Sequence, residues 1–212
     1  MLDMKIVFQI LENLGYKISS VAHLGANHAQ SRSEYIQNGI QKLLWIEALP
    51  DLVDNLRYKL SSTDDVILQG VLSNVSDKNV TFNVASNNGM SSSIFEFKDH
   101  VQKYPSIKMV KSVDLKTVTL DDLMKRHSLE FDYDMAVLDL QGAELKALQG
   151  ARCLLDRVSA IACEVSCIEL YKNAPLEVDI DNFMSKNSFT KLISAYTEYG
   201  WGEALYVKKS AT

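Results

Sequence analysis

The chain has 212 residues, 47% hydrophobic and 23% charged, which is the composition of an ordinary globular protein and excludes a disordered or collagen-like one. Lys plus Arg number 22 against 27 Asp plus Glu, a formal net charge of −5. That balance supplies no broad phosphate-neutralising surface and argues against nucleic-acid binding, although a small anion held by backbone N–H groups stays open. Cys153, Cys163 and Cys167 are too few for a disulfide framework and are not spaced as CxxC, so they read as reduced, buried thiols. No uncharged apolar run reaches the length of a membrane span. The first residues, MLDMKIVFQILENLG, carry Asp3, Lys5 and Glu12 through their apolar stretch and lack the order of a signal peptide. The expectation is a soluble, cytoplasmic chain forming a single domain over residues 1–212.

In chain order, Ile6, Val7, Ile10, Leu11 and Leu14 put one apolar stripe on a helix over about 4–14, which Gly15 stops. A strand over 18–24 leads into a tight turn, Gly25 to Ala29, and a helix from about Gln30 to Gln37 follows. Lys42 to Ile46 is a compact strand stopping at Glu47, and Pro50 starts a helix with Leu52, Val53, Leu56 and Leu60 inward. A third strand runs from Val66 to Leu72. Two strand–helix–strand crossovers imply a parallel sheet covered by helices.

The middle breaks this rhythm. Val80, Phe82 and Val84 alternate with Thr81 and Asn83 as an amphipathic strand, and residues 73–113 read as an inserted hairpin and loop. Ser91 to Ser93 look like a polar loop, and His100 and His127 are placed at the surface. Thr119 caps a short helix, with Asp122 as the acid three residues on. A strand over 134–140, a helix over 142–155, a strand over 158–165 and a helix begun by Pro175 follow. Phe189 to Ile193 and Ala204 to Val207 are the last strands, joined by a loop holding Tyr199, Gly200, Trp201 and Gly202.

In an open parallel sheet the ligand crevice lies at the carboxyl ends of the strands. Gly25, Ala26 and Asn27 close the first strand, where a glycine lets backbone N–H groups approach a ligand and the next helix adds its positive end; an ordinary strand–helix turn is the alternative. Neither GxGxxG nor GxxxxGK[ST] is present, which weighs against a dinucleotide dehydrogenase or a P-loop ATPase. Glu47 closes the second strand about 20 residues later, where a carboxylate can accept two hydrogen bonds from a ribose diol. Asp139 ends an apolar strand beside Gly142, and capping the next helix is its alternative role. Glu164 lies in an apolar strand, a position that requires it to face the crevice or be paired. His23, directly before the glycine turn, is either a base, a ligand contact or a polar residue hydrogen-bonded at a strand end. There is no HExxH, Cys/His cluster or GxSxG.

VAHLGANHAQS, WIEALPDLVDNL, TLDDL, LDLQGAELKALQG and EVSCIELYKNAPL, in that order, resemble the FkbM-type S-adenosylmethionine-dependent methyltransferases over residues 18 to 207. The resemblance implies the α/β class I methyltransferase fold, a Rossmann-like three-layer arrangement with a seven-stranded, mostly parallel sheet ending in an antiparallel hairpin. It implies S-adenosyl-L-methionine as cofactor and O-methylation of a sugar, glycan or small-metabolite hydroxyl. By that match Gly25, Ala26 and Asn27 form the cofactor turn, Glu47 takes the ribose, Gly70 to Ser73, including Leu72 and Ser73, flank the adenine, and Asp139 and Glu164 are the acids of the next two strands. The family has Asp where His23 stands, Gly where Ala29 stands and often Lys where Val137 stands.

The expected chemistry is in-line methyl transfer, in which the protein aligns the acceptor oxygen and excludes water. Asp139 or His23 would take the hydroxyl proton, with Glu164 orienting the acceptor. The Ser-rich segment 86–93 and the Tyr199–Gly202 loop would face the acceptor. Two hard oxygen ligands, Asp139 and Glu164, would suit Mg²⁺, but no metal is favoured. The rivals are a catalytically degenerate methyltransferase fold serving as a binding or structural module, which His23 supports, and an NAD-dependent oxidoreductase, which the missing glycines oppose.

Overall fold

Short apolar strands alternating with amphipathic helices account for most of residues 2–209, the part of the chain that this computed structural model describes. Helix α1 (Met4–Asn13) starts where the Asp3 carboxylate accepts the Lys5 N–H at 2.9 Å, and Gly15, at φ +84°, ends it. It presents Val7 and Leu11 to the sheet, with Met4, Phe8 and Ile10 beside them. Ile6 and Leu14, expected on the same stripe, are about half exposed, because the buried face runs one residue further round the helix.

Strand β1 (Ser20–Leu24) pairs in parallel with β2 (Lys42–Glu47) on one side and β7 (Met135–Leu138) on the other. Outside these lie β3 (Val66–Gln69), parallel to β2, and β8 (Ala160–Ser166), parallel to β7. The hairpin of β9 (Phe189–Tyr196) and β10 (Trp201–Lys208) completes the sheet, with β10 antiparallel to β8. The resulting seven-stranded order is β3-β2-β1-β7-β8-β10-β9.

Helices cover both faces. Helix α1, α2 (Arg32–Gln37) and α3 (Pro50–Lys59) bury Val7, Leu11, Tyr35, Leu56 and Leu60 against Val21, Trp45, Ala160 and Leu205. On the opposite face α5 (Leu120–Arg126), α6 (Glu144–Gln149), α7 (Arg152–Arg157) and α8 (Glu177–Lys186) pack Leu120, Leu148, Leu154 and Met184 on Leu24, Leu44 and Ile161. This is a class I methyltransferase architecture, with apolar residues on both faces of a parallel sheet. No helix of the described residues is long and apolar enough to cross a membrane.

Several elements depart from the sequence reading. The strand expected over 66–72 divides at Gly70, whose N–H donates to the Glu47 carbonyl at 2.9 Å. Beyond it β4 (Val71–Leu72) leaves the main sheet and joins β6 (Met109–Val118), which pairs antiparallel with β5 (Asn79–Ala85). The insertion is therefore a three-stranded sheet that runs on to Val118, past the expected end at 113. Val113, Leu115 and Thr117 alternate with Ser112, Asp114 and Lys116 along β6, a period-two signal that the surrounding lysines mask.

The helix expected over 142–155 is two, broken at Gly150, where a Cβ would sit 2.2 Å from the Ser73 carbonyl oxygen. Pro175 precedes α8 instead of starting it, and Asp179 Oδ2 accepts the Leu176 N–H at 3.0 Å there. At α5 the Thr119 hydroxyl accepts the Asp122 N–H at 3.1 Å as expected, but Asp122 pairs with the Ser76 hydroxyl, and it is Ser76 that receives the Thr119 N–H. Trp201 and Gly202, placed in a loop by sequence, begin β10. Cys163 is buried, Cys153 half-buried and Cys167 exposed, so the expectation of buried thiols fails at Cys167; all three are free.

Candidate active site

A cavity of about 450 Å³ opens at the carboxyl ends of β1, β2 and β7, where the strand order reverses between β1 and β7. That volume falls within the range of small-molecule sites, about 300–1,000 Å³. Gly25 makes the reversal possible. The Asp139 N–H donates to the Leu24 carbonyl at 2.9 Å, and a Cβ on Gly25 would lie 1.8 Å from the Asp139 carbonyl oxygen. Gly25 also holds φ +95°, which an L side chain resists.

The turn does not cradle an anion. The Gly25 and Ala26 N–H groups both donate to the Ile46 carbonyl, at 2.9 and 3.0 Å, and the Asn27 N–H donates to Glu47 Oε2 at 2.8 Å. Helix α2 begins at Arg32, well past the turn, so its amino end is not placed as the sequence suggested. What the turn does is hold Glu47. The other oxygen, Oε1, accepts the Leu49 N–H at 2.9 Å, which fixes the carboxylate at the cavity wall. Burial pushes the Glu47 pKa up, against the pull of its three backbone donors.

Across the cavity, Asp139 and Glu164 converge on one side chain. Gln141 Nε2 donates to Asp139 Oδ1 and to Glu164 Oε2, each at 2.6 Å, while Gln141 Oε1 accepts the Tyr171 hydroxyl at 2.6 Å. Gln141 sits at φ +53° and Gly142 at φ +95°, and Glu144 pins this loop by accepting the Leu140 N–H at 2.7 Å. Glu144 is 3% exposed, and burial raises its pKa to about 7, helped by the nearby Asp139 charge. Glu164 is raised well above the carboxylate range, by burial first and then by Asp139.

His23 lies on β1, 8% exposed at the inner wall. Its Nδ1 is 2.8 Å from the Tyr35 hydroxyl, and its ring packs on Trp45 at 5.2 Å. Burial lowers its pKa to about 4, opposed by Asp139, so the imidazole is neutral near pH 7. Leu72 lines the cavity together with Gly70 and Val71. Ser73 is buried behind them, its N–H bonded to the Val118 carbonyl, and does not line the cavity.

Other wall residues escaped the sequence reading. Glu203 on β10 faces the cavity, accepting the Leu2 N–H at 2.6 Å, and Tyr171 lies behind Gln141. His100, expected at the surface, is 3% exposed and lines the cavity. Ser91, Ser92 and Ser93 are buried, not a solvated loop: Ser93 donates to the Gln141 carbonyl at 2.7 Å, and Ser92 accepts the Ala85 N–H at 3.0 Å. Strand alternation would have pointed Glu203 to the same side as Glu164, its register partner, but only once the pairing of β10 with β8 is known.

Glu47, Asp139, Glu164 and Glu203 line the cavity, and no Lys or Arg does. Such a wall attracts a cation and repels a pyrophosphate. The described residues hold no group of three or more His, Cys, Asp or Glu side chains placed to bind a metal ion.

Strand order, the antiparallel β10 and an acidic crevice at the switch point together define a class I methyltransferase. The sequence agrees: the family model described as a methyltransferase FkbM domain matches residues 21–191, and the chain belongs to that family. It is 26% identical over 189 residues to the 2-O-methyltransferase NoeI of Sinorhizobium fredii (strain NBRC 101917 / NGR234), covering 84% of this chain and 76% of that protein. The fold is shared with magnesium protoporphyrin IX methyltransferase (ChlM) from Synechocystis PCC 6803, solved with bound SAH, at a TM-score of 0.54 and 11% identity over 97% of this chain and 81% of that one. It is shared as well with the methyltransferase domain of bacterial CtHen1-C, at a TM-score of 0.53 and 9% identity over 98% and 97%. The protein is an S-adenosylmethionine-dependent methyltransferase.

Proposed function

We propose that the protein transfers a methyl group to a hydroxyl of a neutral sugar, glycan or small metabolite, with the acid pair of Asp139 and Glu164 at the reacting end. The observation that carries this reading is the pairing of both acids by one amide, Gln141 Nε2, in a crevice lined by no Lys or Arg among the described residues. S-adenosylmethionine supplies, when bound, a methyl group already activated by its sulfonium charge. An acidic wall with no Lys or Arg among the described residues fits that positive charge, and the same wall disfavours NAD.

Glu47 keeps lone-pair capacity beyond its backbone hydrogen bonds and would accept the ribose hydroxyls. Gly25, Ala26 and Asn27 would back the nucleoside, and Gly70 to Leu72 would flank the adenine. Asp139 is exposed to the cavity and would take the acceptor's proton as its oxygen forms the new C–O bond. Glu164, held by the Gln141 amide, would hydrogen-bond the acceptor and orient it. His23, neutral and held against Tyr35, would close the inner wall and exchange no proton. The 26% identity to a 2-O-methyltransferase supports oxygen as the acceptor atom.

Titration calorimetry with S-adenosylhomocysteine tests the cofactor half. Wild type should bind, and Glu47→Gln should bind about tenfold more weakly, since a hydrogen bond to a charged group contributes about 1.5–3 kcal/mol. Failure of the wild type to bind either S-adenosylmethionine or its demethylated product would sink the reading.

A further inference from the structure

One wall of the cavity is aromatic, and the cofactor assignment leaves it unused. His100, Tyr104 and Trp201 line it. They come from two distant parts of the chain: His100 and Tyr104 from the start and the cap of the short helix α4 (His100–Lys103), and Trp201 from the first position of β10. The rings are locked in place. Trp201 Nε1 donates to the Tyr104 hydroxyl at 2.6 Å, and Tyr199 stands edge-on to Tyr104 at 5.2 Å. His100 stacks on Phe97 at 3.9 Å and 5°, and its backbone N–H donates to the Leu170 carbonyl at 3.2 Å. Tyr171, 5.7 Å from the His100 ring, carries the contact on to Gln141 and so to Asp139 and Glu164.

Within this well-bonded wall His100 is an anomaly. It is 3% exposed, yet its Nδ1 atom has no hydrogen-bond partner among the described residues. Buried side-chain nitrogens are almost always paired, so this one is a polar group that the described residues leave open to a ligand or an ordered water. A structural aromatic position would be served better by Phe, which carries no unpaired nitrogen.

We infer that His100, Tyr104 and Trp201 form the acceptor subsite, in which the Tyr104–Trp201 pair receives the apolar C–H face of a pyranose ring and the His100 imidazole hydrogen-bonds a ring hydroxyl. The inference rests on the methyltransferase reading of the same crevice. A sugar ring suits this wall because it has one apolar face and a polar rim, matching aromatic faces tipped with a hydroxyl and ring nitrogens. A phosphorylated or carboxylated acceptor does not suit it, since the cavity is lined by four acidic residues and, among the described residues, by no Lys or Arg. Burial lowers the His100 pKa, so its ring is neutral near pH 7 and can both donate and accept.

The test uses the full chain loaded with S-adenosylhomocysteine, first confirmed by calorimetry, and a panel of methyl pyranosides observed by saturation-transfer NMR. At least one pyranoside should bind the wild-type complex. His100→Phe, which keeps the stacking on Phe97 and removes both ring nitrogens, should weaken that binding at least tenfold and leave the affinity for S-adenosylhomocysteine unchanged. It should also melt no lower than the wild type, because it removes an unpaired buried nitrogen. Trp201→Leu should weaken the pyranoside as well, with the same cofactor affinity. Absence of any pyranoside binding to the loaded complex overturns the subsite, as does equal binding by His100→Phe. A His100→Phe chain that melts lower but binds sugar normally marks His100 as a core residue. Failure of S-adenosylhomocysteine to bind at the first step falls on the methyltransferase reading itself, and so separates the two failures.

Discussion

Gly25 shows how one residue ties the turn to the chemistry. Its missing side chain lets the β1 turn lie against the Asp139 carbonyl, which brings the Glu47 end of the crevice next to the acid pair. Gly25→Ala must place a methyl 1.8 Å from that oxygen while holding φ +95°. The expected result is a loss of more than about 2 kcal/mol in urea denaturation, together with loss of cofactor binding. An alanine variant of unchanged midpoint would mean that the turn and the β7 end can separate freely. At this scale the sequence was legible where a residue stood at the end of an apolar run: Gly25, Glu47, Asp139 and Glu164 all reach one cavity. It was illegible where the side chain depends on a distant partner. His23 reads as a base, a ligand contact or a hydrogen-bonded strand-end residue until Tyr35 and Trp45, from α2 and β2, are seen to enclose it. His100 reads as a surface residue because its burial is supplied by Phe97, Tyr104 and Tyr171 and not by its own periodicity.

Elements were recovered where hydrophobic period and punctuation agree, as in β1, β2 and α3. They were misjudged where backbone geometry, not patterning, decides. The run from 142 to 155 has a continuous helical face, Ala147, Leu148, Ala151, Leu154 and Leu155, and all five are buried as expected. Even so, the backbone breaks at Gly150, because the chain after β4 passes close enough for the Ser73 carbonyl to occupy the space of a Cβ. The Gly150 carbonyl is turned out of the helix to accept the Asp121 N–H at 3.3 Å, and Asp121 in turn accepts the Arg152 and Cys153 N–H groups at 3.1 and 2.9 Å. The α6–α7 break is thus the joint that fastens the inserted sheet and α5 to the body of the fold. Gly150→Ala should destabilise the protein by about 1–3 kcal/mol, by overpacking against backbone that cannot give way. Although helix propensity alone favours Ala by about 1 kcal/mol, the clash outweighs it. A stabilised Gly150→Ala variant, measured by thermal or urea unfolding, would show that α6 and α7 can merge and that the break is not imposed by Ser73.

Across the whole molecule, the folded chain gathers carboxyl groups that the unfolded chain keeps apart. Asp139 raises the pKa of Glu47, Glu144, Glu164 and Glu203, and in each of the four burial is the larger cause. An amide, not a cation, bridges Asp139 and Glu164, so neither acid is taken up in an ion pair there. The arrangement carries a stability cost whose sign can be read in solution. Between its ordinary value of 4.5 and about 7, Glu144 keeps its proton in the native state and loses it in the unfolded state. The unfolded chain then binds fewer protons, so the Glu144 contribution to stability falls as pH rises through that window. His23 acts in the opposite direction: its pKa is lowered from 6.5 to about 4, so its contribution falls as pH drops from 6.5 toward 4. The total curve mixes these opposing slopes, and the difference between two chains isolates one of them. Glu144→Gln keeps an oxygen to accept the Leu140 N–H and has no proton to lose, so its stability relative to wild type should rise as pH goes from about 4.5 to about 7, by on the order of 1–3 kcal/mol. Urea unfolding of both chains at half-unit pH steps measures that difference. Parallel curves would show that Glu144 ionises in the folded protein as readily as in the unfolded chain, and that the loop bearing Gln141 is held by a charged carboxylate.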